Sequence, residues 1–260
     1  MSKSETYNLY NGEVELVYND SDHSYRVDDE IIYGVTSITG SIAKPALINW
    51  AVKLTKEKTK DIIKEIGWKK FSEDLDGYLY QAGGEHYRVS KETRELGTRV
   101  HDIAKRWQTK DADYQKLTAE MLQAESDKER LSYIALLKFF DEYDLEPSSL
   151  ESKCYSKKYG YAGTIDYEGM VNGKYTIMDY KTSGGIYESY YLQATAYAQA
   201  KKEEGVDVEQ TAIVRVAKDG ELEVEIVKDW EKYLEPFLGA LKVKEFLMEM
   251  RAKNFSKSKN

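Results

Sequence analysis

The chain has 260 residues, enough for one large core or two small ones, and its 12% aromatic content, chiefly 22 Tyr, excludes a disordered chain. One cysteine, Cys154, excludes an intramolecular disulfide framework and any four-cysteine zinc or iron-sulfur centre. A formal net charge of −8 argues against broad capture of nucleic acid by phosphate neutralisation, although basic runs survive at Lys53 to Lys60, Trp68-Lys69-Lys70 and Lys105-Arg106. Such runs are ordinarily solvated helix faces. No apolar run is long enough to cross a bilayer, and Met1-Ser2-Lys3-Ser4-Glu5 has no hydrophobic secretory segment, so cytoplasmic residence is expected.

In chain order, Glu13 to Tyr18 and Tyr25 to Val27 alternate around Asn19-Asp20-Ser21-Asp22, the pattern of a hairpin, ahead of the Val35-Thr36-Ser37-Ile38 stretch. Pro45 suits the first turn of a helix running through Trp50, Val52 and Leu54 towards Ile66, with Gly67 to stop it. Gly83-Gly84 breaks the helical region, and Ser90 with Thr93 predicts the cap of a helix on which Leu96, Val100, Ile103 and Trp107 share a face. That helix carries His101. A further helix is expected over Asp127 to Tyr143, and Pro147 marks a change to strand-rich sequence. Strands are expected at Glu151 to Ser156, Gly163 to Val171 and Lys174 to Lys181, then a helix over Tyr190 to Lys202. A second hairpin turns at Lys218-Asp219-Gly220 between Ala212 to Val216 and Glu221 to Val227, and a long helix runs from Trp230 to about Met250. The tail from Lys253 is expected to fray. No repeat or linker divides the chain, so a single domain is expected: an N-terminal hairpin region over 1–40, a helical region over 41–146, a sheet-and-helix region over 147–252 and the tail over 253–260.

Asn172-Gly173 is the sharpest local signal. Both residues tolerate the positive φ that a two-residue type I′ turn requires, and such a turn fixes the register of the strands it joins. If Val171 pairs with Lys174, Asp166 falls across from Asp179 and Thr164 from Lys181. Opposed carboxylates repel, and a divalent cation such as Mg²⁺ or Mn²⁺ is the natural compensation. Alternation puts Lys181 on the face of Asp179, where an ammonium can orient water or stabilise charge on a phosphate. In an arbitrary hairpin the commoner meaning of such a trio is a surface charge network. Gln193 and Tyr197, four apart on the next helix, share a face. His101 shares a stripe with the small residues Gly97 and Ala104, which allow close approach and make it a candidate extra ligand; a lone helix histidine is more often structural.

Taken together, Gly97-Thr98-Arg99-Val100-His101, Gly163-Thr164-Ile165-Asp166, Asp179-Tyr180-Lys181-Thr182-Ser183 and Gln193 through Tyr197 resemble the RecB-like branch of the PD-(D/E)XK nuclease superfamily in order and spacing. The likeness extends to His23-Ser24-Tyr25-Arg26-Val27-Asp28 and Val35-Thr36-Ser37-Ile38, which are similar to the N-terminal region of phage-encoded exonucleases and of the mitochondrial genome maintenance exonuclease. It implies an α/β fold with a restriction-endonuclease-like core, a central mixed sheet flanked by helices. It also implies His101, Asp166, Asp179 and the backbone carbonyl of Tyr180 as metal ligands, Lys181 as the catalytic lysine, and Gln193, Tyr197, Thr182 and Ser183 as substrate-binding residues. Glu151 is a further candidate carboxylate. The cofactor implied is one or two Mg²⁺ or Mn²⁺ ions, and the single cysteine excludes the iron-sulfur cluster of some relatives.

The expected function is a metal-dependent DNA exonuclease acting on single strands or ends, in phage or bacterial recombination or repair, inside the host cytoplasm if phage-encoded. A recombination or single-strand-binding protein is a partner of the expected kind, and no membrane is involved. A structure-selective or sequence-specific endonuclease on the same fold, and a nucleic-acid-binding subunit without turnover, are the alternatives. The acidic balance favours a channel for single strands over a duplex-binding face, with Trp68, Tyr78, Tyr80 and Tyr87 as stacking candidates, though core packing is the commoner use of such aromatics.

Overall fold

Alternation at the N-terminus yields more strand than the one hairpin expected there. In the computed structural model, which describes residues 4–257, β1 (Ser4–Leu9), β2 (Val14–Asn19), β3 (Ser24–Val27) and β4 (Glu30–Gly34) form an antiparallel meander. The β2–β3 turn lies where the sequence places it, because Asn19 and Asp22 side chains accept the N–H groups of Ser21 and Ser24 and so satisfy the turn locally. Val35 to Ile38 lies in a short helix, α1 (Val35–Thr39).

Helix α2 (Pro45–Ile66) starts on Pro45 and ends at Gly67, whose φ of +82° suits a residue without Cβ. Helices α3 (Trp68–Glu73), α4 (Leu75–Gly83) and α5 (Glu85–Trp107) follow. Ser90 and Thr93 lie inside α5, beyond its first turn, and not at its start. The helix begins upstream of them, directly after Gly84, because Arg88 ties Glu85 to Glu92 across its first turns and Glu85 suits the positive end of the helix dipole. Helix α6 (Tyr114–Leu122), which the sequence reading missed, is capped by Asp113. Helix α7 (Asp127–Glu142) is capped by Ser126, whose hydroxyl accepts the Glu129 N–H at 3.2 Å.

Strand β5 (Leu145–Ser156) begins earlier than Glu151 and runs through Pro147, with a register shift between Pro147 and Ser149 that accommodates the missing N–H. It is followed by β6 (Tyr161–Val171), β7 (Lys174–Lys181), α8 (Glu188–Glu203), β8 (Gln210–Val216), β9 (Leu222–Val227) and α9 (Leu234–Lys257). The tail expected to fray from Lys253 is helical to Lys257; the rest of that expectation, residues 258–260, lies outside the described residues.

The chain divides into two compact units, one built from residues up to Ile42 together with those from Val100 onward, the other from Ala43–Arg99. The sequence shows no linker, because the second boundary falls inside α5. In the smaller unit Ile62, Phe71 and Ala82 are buried, and Trp68 and Tyr78 stack on Phe71 with centroids 5.8 and 5.5 Å away. Of the four candidate stacking aromatics Tyr78 therefore serves this core, while Trp68, though stacked on Phe71, is 64% exposed and Tyr80 and Tyr87 are 88% and 72% exposed.

The larger unit holds a nine-stranded mixed sheet ordered β1-β2-β3-β4-β6-β7-β8-β9, with β5 paired to β6. Ile165 and Ile177 pack with Ala196 and Tyr197 of α8 and Phe237 of α9, whereas Tyr180 meets Phe139 of α7 edge-on, so helices cover the sheet from both sides. Strand β6 has three neighbours. β5 follows one edge along its length, so β4, at Tyr161 and Ala162, and β7, from Tyr167 to Val171, must share the other. Between them, from Gly163 to Asp166, that edge has no strand beside it.

Candidate active site

The functional groups gather at this interruption. The β6–β7 register is the one the turn dictates, with Asn172 and Gly173 at φ +49° and +73° and pairs from Val171↔Lys174 to Tyr167↔Met178. The ladder stops there. β7 continues along β8, with Asp179 beside Ile213, Tyr180 beside Val214 and Lys181 beside Arg215. The expected opposed pairs, Asp166 with Asp179 and Thr164 with Lys181, are not formed.

The cause is a broken pleat. Ile165 packs beneath α8, and Glu168, three residues later, pairs with Lys201 of α8 at 3.2 Å. In a regular strand residues three apart face opposite sides, so an irregularity must fall between them. Asp166 occupies it: its carboxylate leaves the ladder and accepts the Tyr180 N–H at 2.8 Å. On the other edge, Leu150↔Tyr167 and Ser152↔Ile165 leave Glu151 opposite Asp166. Glu151 sits at φ +53°, a left-handed conformation costing a residue with a Cβ about 1–2 kcal/mol. The carboxylates that face one another are thus Glu151 and Asp166.

His101 of α5 completes this group, with Nδ1 3.4 Å from Asp166 Oδ2 and its ring edge-on to Tyr180. One ligand atom from each of His101, Glu151 and Asp166 can be chosen so that all lie within 4.8 Å of one another, and all three residues are half-buried. Burial and the Asp166 charge push the Glu151 pKa up. Burial acts against protonation of His101, but Asp166 and Asp179 prevail and raise its pKa to about 9. Burial also opposes ionisation of Asp166, yet His101, Lys181 and the Tyr180 N–H hold its carboxyl below the usual value. With no cation, a proton on His101 offsets the carboxylates. An imidazole and two carboxylate oxygens are a donor set for a divalent cation, and these three residues can hold one.

The second group lies beneath α8. Lys181 forms an ion pair with Asp179 and donates to Gln193 Oε1 at 3.3 Å. Gln193 Nε2 lies 3.0 Å from Asp179 Oδ1 and 2.9 Å from the Tyr197 hydroxyl. Only this orientation of the amide places its oxygen on the ammonium and its nitrogen on the carboxylate. Asp179 is 3% exposed and Lys181 17%. Burial and Asp166 push the Asp179 pKa up, against the pull of Lys181, while Asp179 and Asp166 overcome the effect of burial on Lys181 and keep its ammonium charged. Gly163 makes room for Tyr197: a Cβ there would lie 2.4 Å from its ring.

The structure therefore distributes the predicted residues over two adjoining groups. His101, Glu151 and Asp166 converge; Asp179 joins Lys181, Gln193 and Tyr197 instead. Thr182 and Ser183 belong to neither and line a neighbouring cavity. Tyr190, missed from sequence, presents its ring 4.8 Å from Lys181 Nζ. Its signal was its place three residues before Gln193, on the same helical face.

No family model and no curated protein matches the chain. Among solved structures it is similar to the crystal structure of SSO0001, at 16% identity over 57% of this chain and 74% of that one, with a TM-score of 0.31. A likeness that weak leaves the site to be understood from its own geometry. No helix among the described residues is long and apolar enough to cross a membrane.

Proposed function

We propose that this chain is a metal-dependent deoxyribonuclease of the RecB-like branch of the PD-(D/E)XK superfamily, an exonuclease acting on single-stranded DNA or DNA ends. One observation carries the proposal: a converging His101, Glu151 and Asp166 lies beside a buried Asp179–Lys181 pair, with the Tyr180 backbone between them. The mixed β5-β6-β7-β8 arrangement suits the core that the sequence motifs imply.

In this reading His101, Glu151 and Asp166 hold Mg²⁺ or Mn²⁺. The N–H and C=O of a strand residue point to the same side, so the Tyr180 carbonyl, like its N–H, is directed towards Asp166 and suits a further hard ligand. A bound cation supplies Lewis-acid stabilisation of the charge that builds on the phosphoryl oxygens. Lys181, kept charged by Asp179, orients the attacking water or stabilises the same charge from the other side. Gln193 holds both partners of that ion pair, so the ammonium is positioned before substrate arrives. The net charge of −8 favours a strand read closely by a few groups over a broad duplex-binding face.

The test is digestion of end-labelled linear single strands, linear duplex and circular single strands with Mg²⁺, Mn²⁺ or EDTA, comparing wild type with Asp179→Ala. Cation-dependent loss of linear DNA alone, abolished by the substitution, is the expected result. Cutting of the circle replaces the exonuclease with an endonuclease, and absence of cutting under every condition overturns the catalytic assignment.

A further inference from the structure

Strands β7 and β8 run parallel and end together, Lys181 beside Arg215. In open α/β sheets ligands bind outside the carboxyl ends of the strands, where the following loops separate. At this end Thr182, Ser183 and Gly184 after β7, Arg215 at the end of β8, Lys218 just beyond it and Lys128 in the first turn of α7 wall a cavity of about 280 Å³.

The wall is cationic in a specific way. Arg215 is buried and already answered by Glu223 at 2.7 Å and Glu221 at 3.2 Å, and its Nη1 reaches the Ser183 carbonyl at 3.5 Å, so it fixes the loop. Asp219, the one carboxylate of the wall, accepts the Glu221 N–H at 3.1 Å and is engaged in its own turn. Lys128 and Lys218 bring two ammonium groups to one cavity. Burial pushes the Lys218 pKa down and the nearby Lys128 charge adds to it, which places the two ammonium groups close together. Lysines are point-charge partners for phosphate, and the Thr182 and Ser183 hydroxyls add neutral donors.

We infer that this cavity is a phosphate subsite, distinct from the His101–Glu151–Asp166 group, in which Lys128 and Lys218 receive one phosphate of the substrate strand. Thr182 directly follows Lys181, so a phosphate held here belongs to a nucleotide close to the one being cut. That DNA supplies the phosphate rests on the proposed nuclease function; the anion chemistry does not. The same chemistry serves a terminal monoester and an internal diester.

The experiment uses the full chain in EDTA, comparing wild type with the Lys128→Ala/Lys218→Ala double variant and with Lys128→Ala alone, whose side chain is exposed. The first probe is inorganic phosphate, read as a shift of the thermal midpoint against chloride at equal ionic strength. The second is a single-stranded oligonucleotide with a 5′-phosphate or a 5′-hydroxyl, its Kd followed with salt. Phosphate should raise the wild-type midpoint and not that of the double variant. The double substitution should raise the Kd about tenfold and flatten the logarithmic salt dependence by about 0.7, the contribution of one phosphate. Lys128→Ala should move both in the same direction by less. An effect confined to the 5′-phosphorylated strand assigns the terminal monoester, and an equal effect on both strands assigns the diester. If wild type binds no DNA while the phosphate shift persists, the subsite stands and the nuclease function falls. Equal response of wild type and double variant to phosphate, with an unchanged salt slope, overturns the subsite.

Discussion

The two halves of the site differ in how their charges are satisfied. Around Asp179 every charge has a fixed protein partner: Lys181 and Gln193 hold the carboxylate, and Gln193 is itself held by Tyr197. Around Asp166 three candidate ligand groups converge: burial and then the Asp166 charge raise the Glu151 pKa, and against burial Asp166 and Asp179 raise that of His101, while Asp179, although its own pKa is also pushed up by burial, keeps its fixed partners. The first is built for rigidity and the second for an added cation. Buried polar networks fix geometry through their mutual hydrogen bonds, and a divalent cation is the natural counter-charge for converging carboxylates.

The largest expected effect breaks the rigid half. Lys181→Ala should reduce single-turnover cleavage on the order of 10²–10⁴-fold while leaving Mn²⁺ affinity nearly unchanged, since no ligand is lost. A parallel loss of cation binding would merge the two halves into one. Next, Glu151→Gln should weaken Mn²⁺ binding, measured calorimetrically, by at least the roughly 10–100-fold that loss of an outer-shell partner costs, whereas Gln193→Leu should change it much less. Equal effects would remove the distinction. Gly163→Ala should then cost about 1–3 kcal/mol of stability, because the added methyl meets the Tyr197 ring, and should lower cleavage more than cation affinity.

The smallest effect is in pH. His101 titrates near 9 in the cation-free fold, above its unfolded value of about 6.5. Its pairing with Asp166 thus stabilises the fold fully below about pH 6.5, and that contribution is lost as pH rises through about 9. The thermal midpoint in EDTA should fall more between pH 7 and pH 10 for wild type than for His101→Gln. At pH 7.5 cation binding should release about one proton per ion, seen as a dependence of the binding heat on buffer ionisation, and His101→Gln should abolish most of it.

The β6–β7 register was legible because Asn172-Gly173 carries the whole instruction in two adjacent residues. The Gln193 and Tyr197 face was legible from helical periodicity. What could not be read is where the ladder would end. The register correctly set Tyr167 against Met178, but extending it one pair further placed Asp166 against Asp179, because nothing local announces the break in the pleat. Glu151 was obscured for a related reason: its partnership with Asp166 depends on the β5–β6 alignment, whose connecting Lys157 to Gly160 segment lacks so specific a turn signature. Ser90 misplaced the start of α5 because a good capping residue is equally at home on a helix surface once upstream ion pairs carry the helix past it.

The tight Asn172-Gly173 turn also bears on the order in which the molecule assembles. Hairpins with short loops close within microseconds, while contacts between distant segments wait on chain diffusion. The β6–β7 hairpin, and with it the bond from Tyr180 to Asp166, can form early. Glu151 reaches Asp166 through the equally local β5–β6 hairpin, whereas His101 reaches it only once α5 has docked, so the cation cluster is completed late. A divalent ion should therefore leave the refolding rate nearly untouched and slow unfolding instead, acting as a clasp on a finished fold.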